Sequence, residues 1–239
     1  MKSDSKKSKN YARKRISLVE KEGYYNALTD YYQDVAMLFY GASQYGSAHF
    51  YYEKALEANG RIQVGERYTQ AVIDYNYAQI YSNMGNLYNI QGKYHAAIEY
   101  YTKALKIYEK HGWKESLAIT YMNIGEMYKV MDNYEQAKIN FTKSHAIGQE
   151  VKDSLIIMYV YKDLSGLYII QKNYGKALEK AEAARRYIFA HPEEGENEKA
   201  LVFNLFAQIY LEGYNDMSMT EMAWLILYRC KENELLNVN

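Results

Sequence analysis

YMNIGEMYKVMDNYEQAKINFTKSH, residues 121–145, decides how this chain folds, because the same pattern occurs several times. Forty residues upstream stands YSNMGNLYNIQGKYHAAIEYYTKAL (81–105), and forty downstream YKDLSGLYIIQKNYGKALEKAEAAR (161–185); the three align without gaps. A fourth copy, YQDVAMLFYGASQYGSAHFYYEKAL (32–56), begins 49 residues before 81–105. Its nine extra residues fall around ANGRIQVGER (58–67), which reads as a longer connection. A fifth, weaker copy starts at FNLFAQIY (203–210), and half a copy, ISLVEKEGYYNAL (16–28), matches LKIYEKHGWKESL (105–117). A repeat of this length identifies an architecture built by stacking one supersecondary unit.

Each unit reads as two helices. Tyr121, Ile124, Gly125 and Tyr128 stand at i, i+3, i+4 and i+7, and Tyr134, Ala137, Phe141 and Ser144 do the same further on. That spacing puts each set on one face of an amphipathic helix of roughly 17 residues. Asp132-Asn133 breaks the pattern within the repeat, and His111-Gly112 or Gly148 breaks it between repeats; Asp153 is placed to cap the next helix. The small residues Gly85 and Gly125 are expected to face Ala97 and Ala137 across each hairpin, letting the helices approach closely.

Composition agrees with long helices. The 239 residues include one proline and one cysteine, which argues against a turn-rich β protein and against an internal disulfide framework. Tyrosine is used 29 times, and fourteen of these fall in four recurring repeat slots, so they read as packing residues. Lys plus Arg equals Asp plus Glu, 29 each, but the charges are unevenly spread. Residues 1–20 hold seven basic against two acidic side chains (+5), and residues 193–239 hold nine acids against three bases (−6). The remainder is nearly neutral, which disfavours a nucleic-acid partner. The longest apolar run near the end, Met222–Tyr228, is too short to span a bilayer, so no membrane partner is expected.

The slots resemble those of the tetratricopeptide repeat: an aromatic, a large apolar residue, a small residue, Tyr, then Ala, an aromatic and Ala. Here they read Tyr81, Met84, Gly85, Tyr88, Ala97, Tyr101, Ala104 and Tyr121, Ile124, Gly125, Tyr128, Ala137, Phe141, Ser144. The flanking copies give Tyr32, Val35, Ala36, Phe39, Ala48, Tyr52, Ala55 and Tyr161, Leu164, Ser165, Tyr168, Ala177, Ala181, Ala184. The 40-residue period is longer than the family's 34, as in long-helix variants of kinesin light chains and bacterial peptide-pheromone receptors, and the family's proline between repeats is missing. The resemblance implies an all-α, right-handed superhelical solenoid of antiparallel helix hairpins. Its expected parts are a flexible basic tail (1–10), a half repeat (11–23), repeats over 24–60, 66–112, 113–151 and 153–191, and a degenerate fifth repeat with a capping helix (196–236).

In such a solenoid the concave groove is lined by the first helix of each pair. The positions expected there are Asp34, Met37 and Tyr40; Asn83, Asn86 and Asn89; Asn123, Glu126 and Lys129; and Lys162 and Asp163. Asn83 and Asn123 stand in the same slot, and an amide offers both a donor and an acceptor. They either clasp the backbone of an extended peptide, as in the asparagine ladders of this family, or bond to neighbouring helices or water. Asp34 and Asp163 replace Asn at the ends and would favour basic ligand residues. The clamp that chaperone-binding relatives use for a terminal carboxylate is not matched, since Gln33, Ser82 and Met122 stand at its lysine positions and only Lys162 remains.

The expected function is a non-catalytic protein- or peptide-binding scaffold in the cytoplasm. The alternative is the sensor or oligomerisation region of a larger signalling or transcription regulator. The five histidines are scattered over different repeats without metal-ligand spacing, Gly60 and Gly65 lack the Lys-Ser/Thr of a phosphate-binding loop, and Cys230 sits in an apolar stretch. No catalytic residue, metal or cofactor is therefore expected. Residues 217–236 are apolar on all sides of a helix, which raises the expectation of a homodimer through this segment.

Overall fold

The computed structural model describes residues 18–19, 21–65, 67–190 and 196–213. The basic tail, most of the half repeat and the apolar segment expected to dimerise lie outside them. Nine α-helices make up the described residues: α1 Tyr25–Gly41, α2 Tyr45–Asn59, α3 Gln70–Ile90, α4 Tyr94–His111, α5 Lys114–Val130, α6 Tyr134–Val151, α7 Ser154–Ile170, α8 Tyr174–Ala190 and α9 Glu196–Gly213. The fold is all-α and of the helical-repeat type. Second helices α4, α6 and α8 begin at Tyr94, Tyr134 and Tyr174, forty residues apart.

The helices form two compact units that divide between Trp113 and Lys114. In the first, the hairpins α1–α2 and α3–α4 pack through α2 on α3, and the first helices α1 and α3 also touch. In the second, the hairpins α5–α6 and α7–α8 are joined by α9, and α7 packs against α5, α6, α8 and α9.

Turn chemistry sets the hairpins. Ser43, Gly92, Asp132 and Lys172 occupy equivalent turns with φ between 55° and 70°, the left-handed conformation that ends a helix. Asn133 then caps α6, its Oδ1 accepting from the Gln136 amide at 3.2 Å, and Asp153 caps α7 through the Ile156 amide at 2.9 Å. One expected break moves. Gly148 lies inside α6, and the helix ends instead at Lys152, which takes φ 58°. Gly148 is small for packing: a Cβ there would come within 2.8 Å of Ile156 Cγ2.

The close approach within each hairpin also differs from the expectation. Gly85 receives the ring of Tyr101, and Gly125 that of Phe141, rather than the alanines; a Cβ would stand 2.5 Å from Tyr101 Cε1 or 2.7 Å from Phe141 Cδ1. The glycine thus makes room for an aromatic side chain, and both rings are fully buried. Where that slot holds Ala181, Ser165 fills the small position and its hydroxyl donates to the Ala177 carbonyl at 2.8 Å. The buried alanines Ala97, Ala104, Ala137, Ala177 and Ala184 let the helices close around these contacts.

Candidate functional site

The sequence-predicted groove residues lie on the first helices of the hairpins, and each unit carries its own set. In the first unit, α1 presents Asp34 and Met37 to solvent, and Tyr40 is half-buried with its ring 6.4 Å from that of Tyr45. On α3, Asn86 is exposed, and Asn83 and Asn89 are half-buried. Asn86 is already engaged: its Oδ1 accepts from the Tyr101 hydroxyl at 2.6 Å. Burial, with a smaller contribution from Tyr40, raises the Tyr101 phenol above its ordinary value, so it stays a donor. The Asn83 amide makes no hydrogen bond among the described residues.

In the second unit the same slots are charged. Lys129 Nζ lies 2.6 Å from Glu126 Oε1, and Lys162 Nζ lies 2.7 Å from Asp163 Oδ1 and 5.6 Å from the centre of the Tyr159 ring. The Asn123 amide, half-buried on α5, makes no hydrogen bond among the described residues. Asp163 corrects the sequence reading. It stands in the slot of Asn83 and Asn123 but is only 3% exposed, because α7 is packed on by α5, α6, α8 and α9. Burial, and then the carboxylate of Glu126, push its pKa up, and Lys162 and Lys129 offset this only in part. Although the ammonium is close, no hydrogen bond of usable angle reaches Oδ1. Burial alone would lower Lys162; Asp163 and Glu126 outweigh it and raise its pKa. Asp163 therefore contributes field and local structure rather than an open contact.

One cluster escaped the sequence reading. Asp74 Oδ2 receives both Lys110 Nζ and His111 Nε2 at 2.7 Å, and Gln70 donates to Oδ1 at 2.7 Å. His111 stacks on Trp113 with centroids 4.4 Å apart. Burial opposes ionisation of Asp74, but the bonds from Lys110, His111 and Gln70 prevail and hold its pKa down at about 2. Lys110 and His111 stand 36 and 37 positions from Asp74, so only the hairpin brings them to it, closing the start of α3 on the end of α4. Among the described residues, no group of three His, Cys, Asp or Glu side chains is placed to hold a metal ion, and no helix is long and apolar enough to cross a membrane.

Family models for the tetratricopeptide repeat match residues 78–111 and 116–187. The chain is a tetratricopeptide-repeat protein over these stretches, as the slots imply. Among solved structures it is similar to BtubC (BKLC) from P. vanneervenii, with a TM-score of 0.70 and 20% identity over 96% of this chain and 91% of that one. It is also similar to the apo form of RapI, with a TM-score of 0.66 and 16% identity over 87% of this chain and 70% of that one. A third similar structure is the Rap conjugation gene regulator of the plasmid pLS20 in complex with the Phr* peptide, with a TM-score of 0.62 and 16% identity over 87% of this chain and 57% of that one. These likenesses establish the shared fold. No curated protein sequence matches the chain.

Proposed function

We propose that the chain is a non-catalytic, cytoplasmic scaffold that binds extended peptide segments of partner proteins on the exposed faces of its first helices. One observation carries the reading. Asn83 and Asn123 occupy the same repeat slot, stand half-exposed, and make no hydrogen bond among the described residues, whereas Asn59, Asn76, Asn86, Asn133 and Asn140 are all engaged by their side chains. A free carboxamide can give its N–H to a peptide carbonyl and take a bond from the peptide N–H, holding backbone whatever its sequence. Around it the first unit adds Asp34, Met37, Tyr40, Asn86 and Asn89, and the second adds Glu126, Lys129 and Lys162, with the buried Asp163 acting on them only through its charge. The peptide complex of the pLS20 regulator supports this choice of ligand class.

A second reading makes the chain the sensor region of a larger regulator, and its likeness to the pLS20 conjugation gene regulator supports it. Mass spectrometry of material co-purified with the wild-type chain and with the Asn83→Ala/Asn123→Ala double variant tests the first reading. Partners depleted from the variant are the expected result, and equal recovery of every partner from both proteins would sink it.

A further inference from the structure

The connection between α2 and α3 is where the repeat abandons its period. The other connections up to α8 have two or three residues, whereas this one runs from Gly60 to Thr69. Its ends are fixed. Asn59 Nδ2 donates to the Ile73 carbonyl at 2.9 Å, and Asn76 Nδ2 donates to Asn59 Oδ1 at 3.0 Å, both in buried surroundings. Thr69 caps α3, accepting from the Val72 amide. The described residues between these anchors supply nothing to the buried core, and Val64 is 60% exposed. Packing therefore does not account for the insertion.

What the insertion does build is a cavity. About 420 Å³ lies between it and the turn ahead of α1, lined by Glu22, Tyr24, Tyr25, Arg61, Arg67 and Tyr68 together with neighbouring backbone. The volume is within the range of natural ligand sites. The Arg61 guanidinium lies 5.8 Å from the Tyr25 ring centre and is pinned by Glu57 at 2.6 Å. Arg67 lies 5.6 Å from the Tyr68 ring centre and has no acidic partner among the described residues. None of the predicted groove residues lines this cavity.

We infer that this cavity is a second binding site, for a peptide segment carrying Asp or Glu beside an aromatic residue. A guanidinium lying against a ring keeps its N–H edge free, and that edge matches a carboxylate in two parallel hydrogen bonds. Tyr24 and Tyr68 in the lining supply aromatic surface for an aromatic side chain of the ligand. Charge selects the kind of anion. Arg61 and Arg67 against Glu22 leave the lining at +1, and Glu57 neutralises part of that, so one carboxylate fits better than a phosphate dianion or a polyanion.

The test is fluorescence anisotropy with the full chain at low salt. The probe is a fluorescein-labelled, amidated Gly-Gly-Trp-Glu-Gly peptide, compared with its Trp-Gln counterpart. The wild-type chain binds the Glu peptide saturably and the Gln peptide about tenfold more weakly, as loss of a charge-assisted pair requires. Arg67→Gln removes the preference, Arg67→Lys keeps the charge without the fork and retains part of it, and Asn83→Ala, which acts on both peptides alike, keeps the Glu-over-Gln preference. Arg67 is exposed, and circular dichroism checks that its variants stay folded. Equal binding of the two peptides, no saturation, an unchanged Arg67→Gln, or loss of the preference on Asn83→Ala each overturns the proposal. So does tighter binding of a phosphotyrosine peptide or of adenosine monophosphate. Because Asn83→Ala moves both peptides alike and Arg67→Gln moves only the preference, failure of this site and failure of the amide face are read separately.

Discussion

The two units carry the same hairpin and wire it differently. In the first, the ring packed on Gly85 is Tyr101, whose hydroxyl occupies Asn86; in the second, the ring packed on Gly125 is Phe141, which has no hydroxyl to offer Glu126. Glu126 is left to pair with Lys129 and to raise Asp163. The amides Asn86 and Asn89 of the first unit give way to Glu126 and Lys129 in the second, and the ring on the glycine changes with them. A repeat tolerates such divergence because the slots specify size and polarity, while hydrogen bonds made off the slots are free to change.

The largest expected effect lies in the second unit. Phe141→Ala empties a fully buried slot and should cost about 3–5 kcal/mol in urea melts. A loss below about 1 kcal/mol would mean that the ring is not a keystone of α5–α6. Gly125→Ala drives a methyl into that ring, and Gly85→Ala does so at Tyr101; each should cost about 1–3 kcal/mol. If Gly85→Ala costs clearly more, the hydroxyl bond to Asn86 is what prevents the tyrosine from yielding.

The units should also part company on titration. Asp74 has a folded pKa of about 2 against an ordinary 3.8, so its contribution is present above pH 3.8 and lost as pH falls toward 2. Asp74→Asn should lower the melting temperature near neutral pH and lose its effect in acid. Asp163 is shifted the other way: the folded chain holds its proton longer than the unfolded chain does. Stability therefore falls as pH rises from the ordinary carboxylate range through the folded pKa. Asp163→Asn should flatten that slope and be neutral or stabilising at the alkaline end. Thermal melts across pH 2–8 distinguish these outcomes, and parallel slopes for the two variants would refute the contrast. The smallest effect is that of Tyr101→Phe, which copies the second unit's wiring into the first. It should cost about 0.5–1.5 kcal/mol and free the Asn86 amide.

The helix pairs and the repeat were legible because a period of 3.6 residues and a period of forty are both carried by side-chain size. Tyr121 and Tyr161 declare themselves by position alone. The partners of those positions were not legible. Asn83, Asn123 and Asp163 share one slot, yet only Asp163 is buried, on a helix that packs against α9 as well as its own hairpin partner, a contact that the slot pattern does not encode. The Asp74–His111 bond was hidden for a related reason, since it depends on how far α4 runs past its last slot before Gly112 ends it. The long α2–α3 connection was visible as a break in period, but the cavity it walls needs Glu22–Asn26 as its other side.

We propose that free amides in a recurring slot hold peptide backbone. Isothermal titration of a peptide identified from co-purified material, with its side chains truncated to alanine one at a time, measures this on the wild type, Asn83→Ala and Asn123→Ala. Loss of either amide is expected to weaken binding of the peptide held on its own unit about tenfold, the cost of leaving one peptide unit unpaired, and by the same factor for every truncated peptide. Unchanged affinity in both folded variants, or losses that appear only with particular peptide side chains, would contradict it.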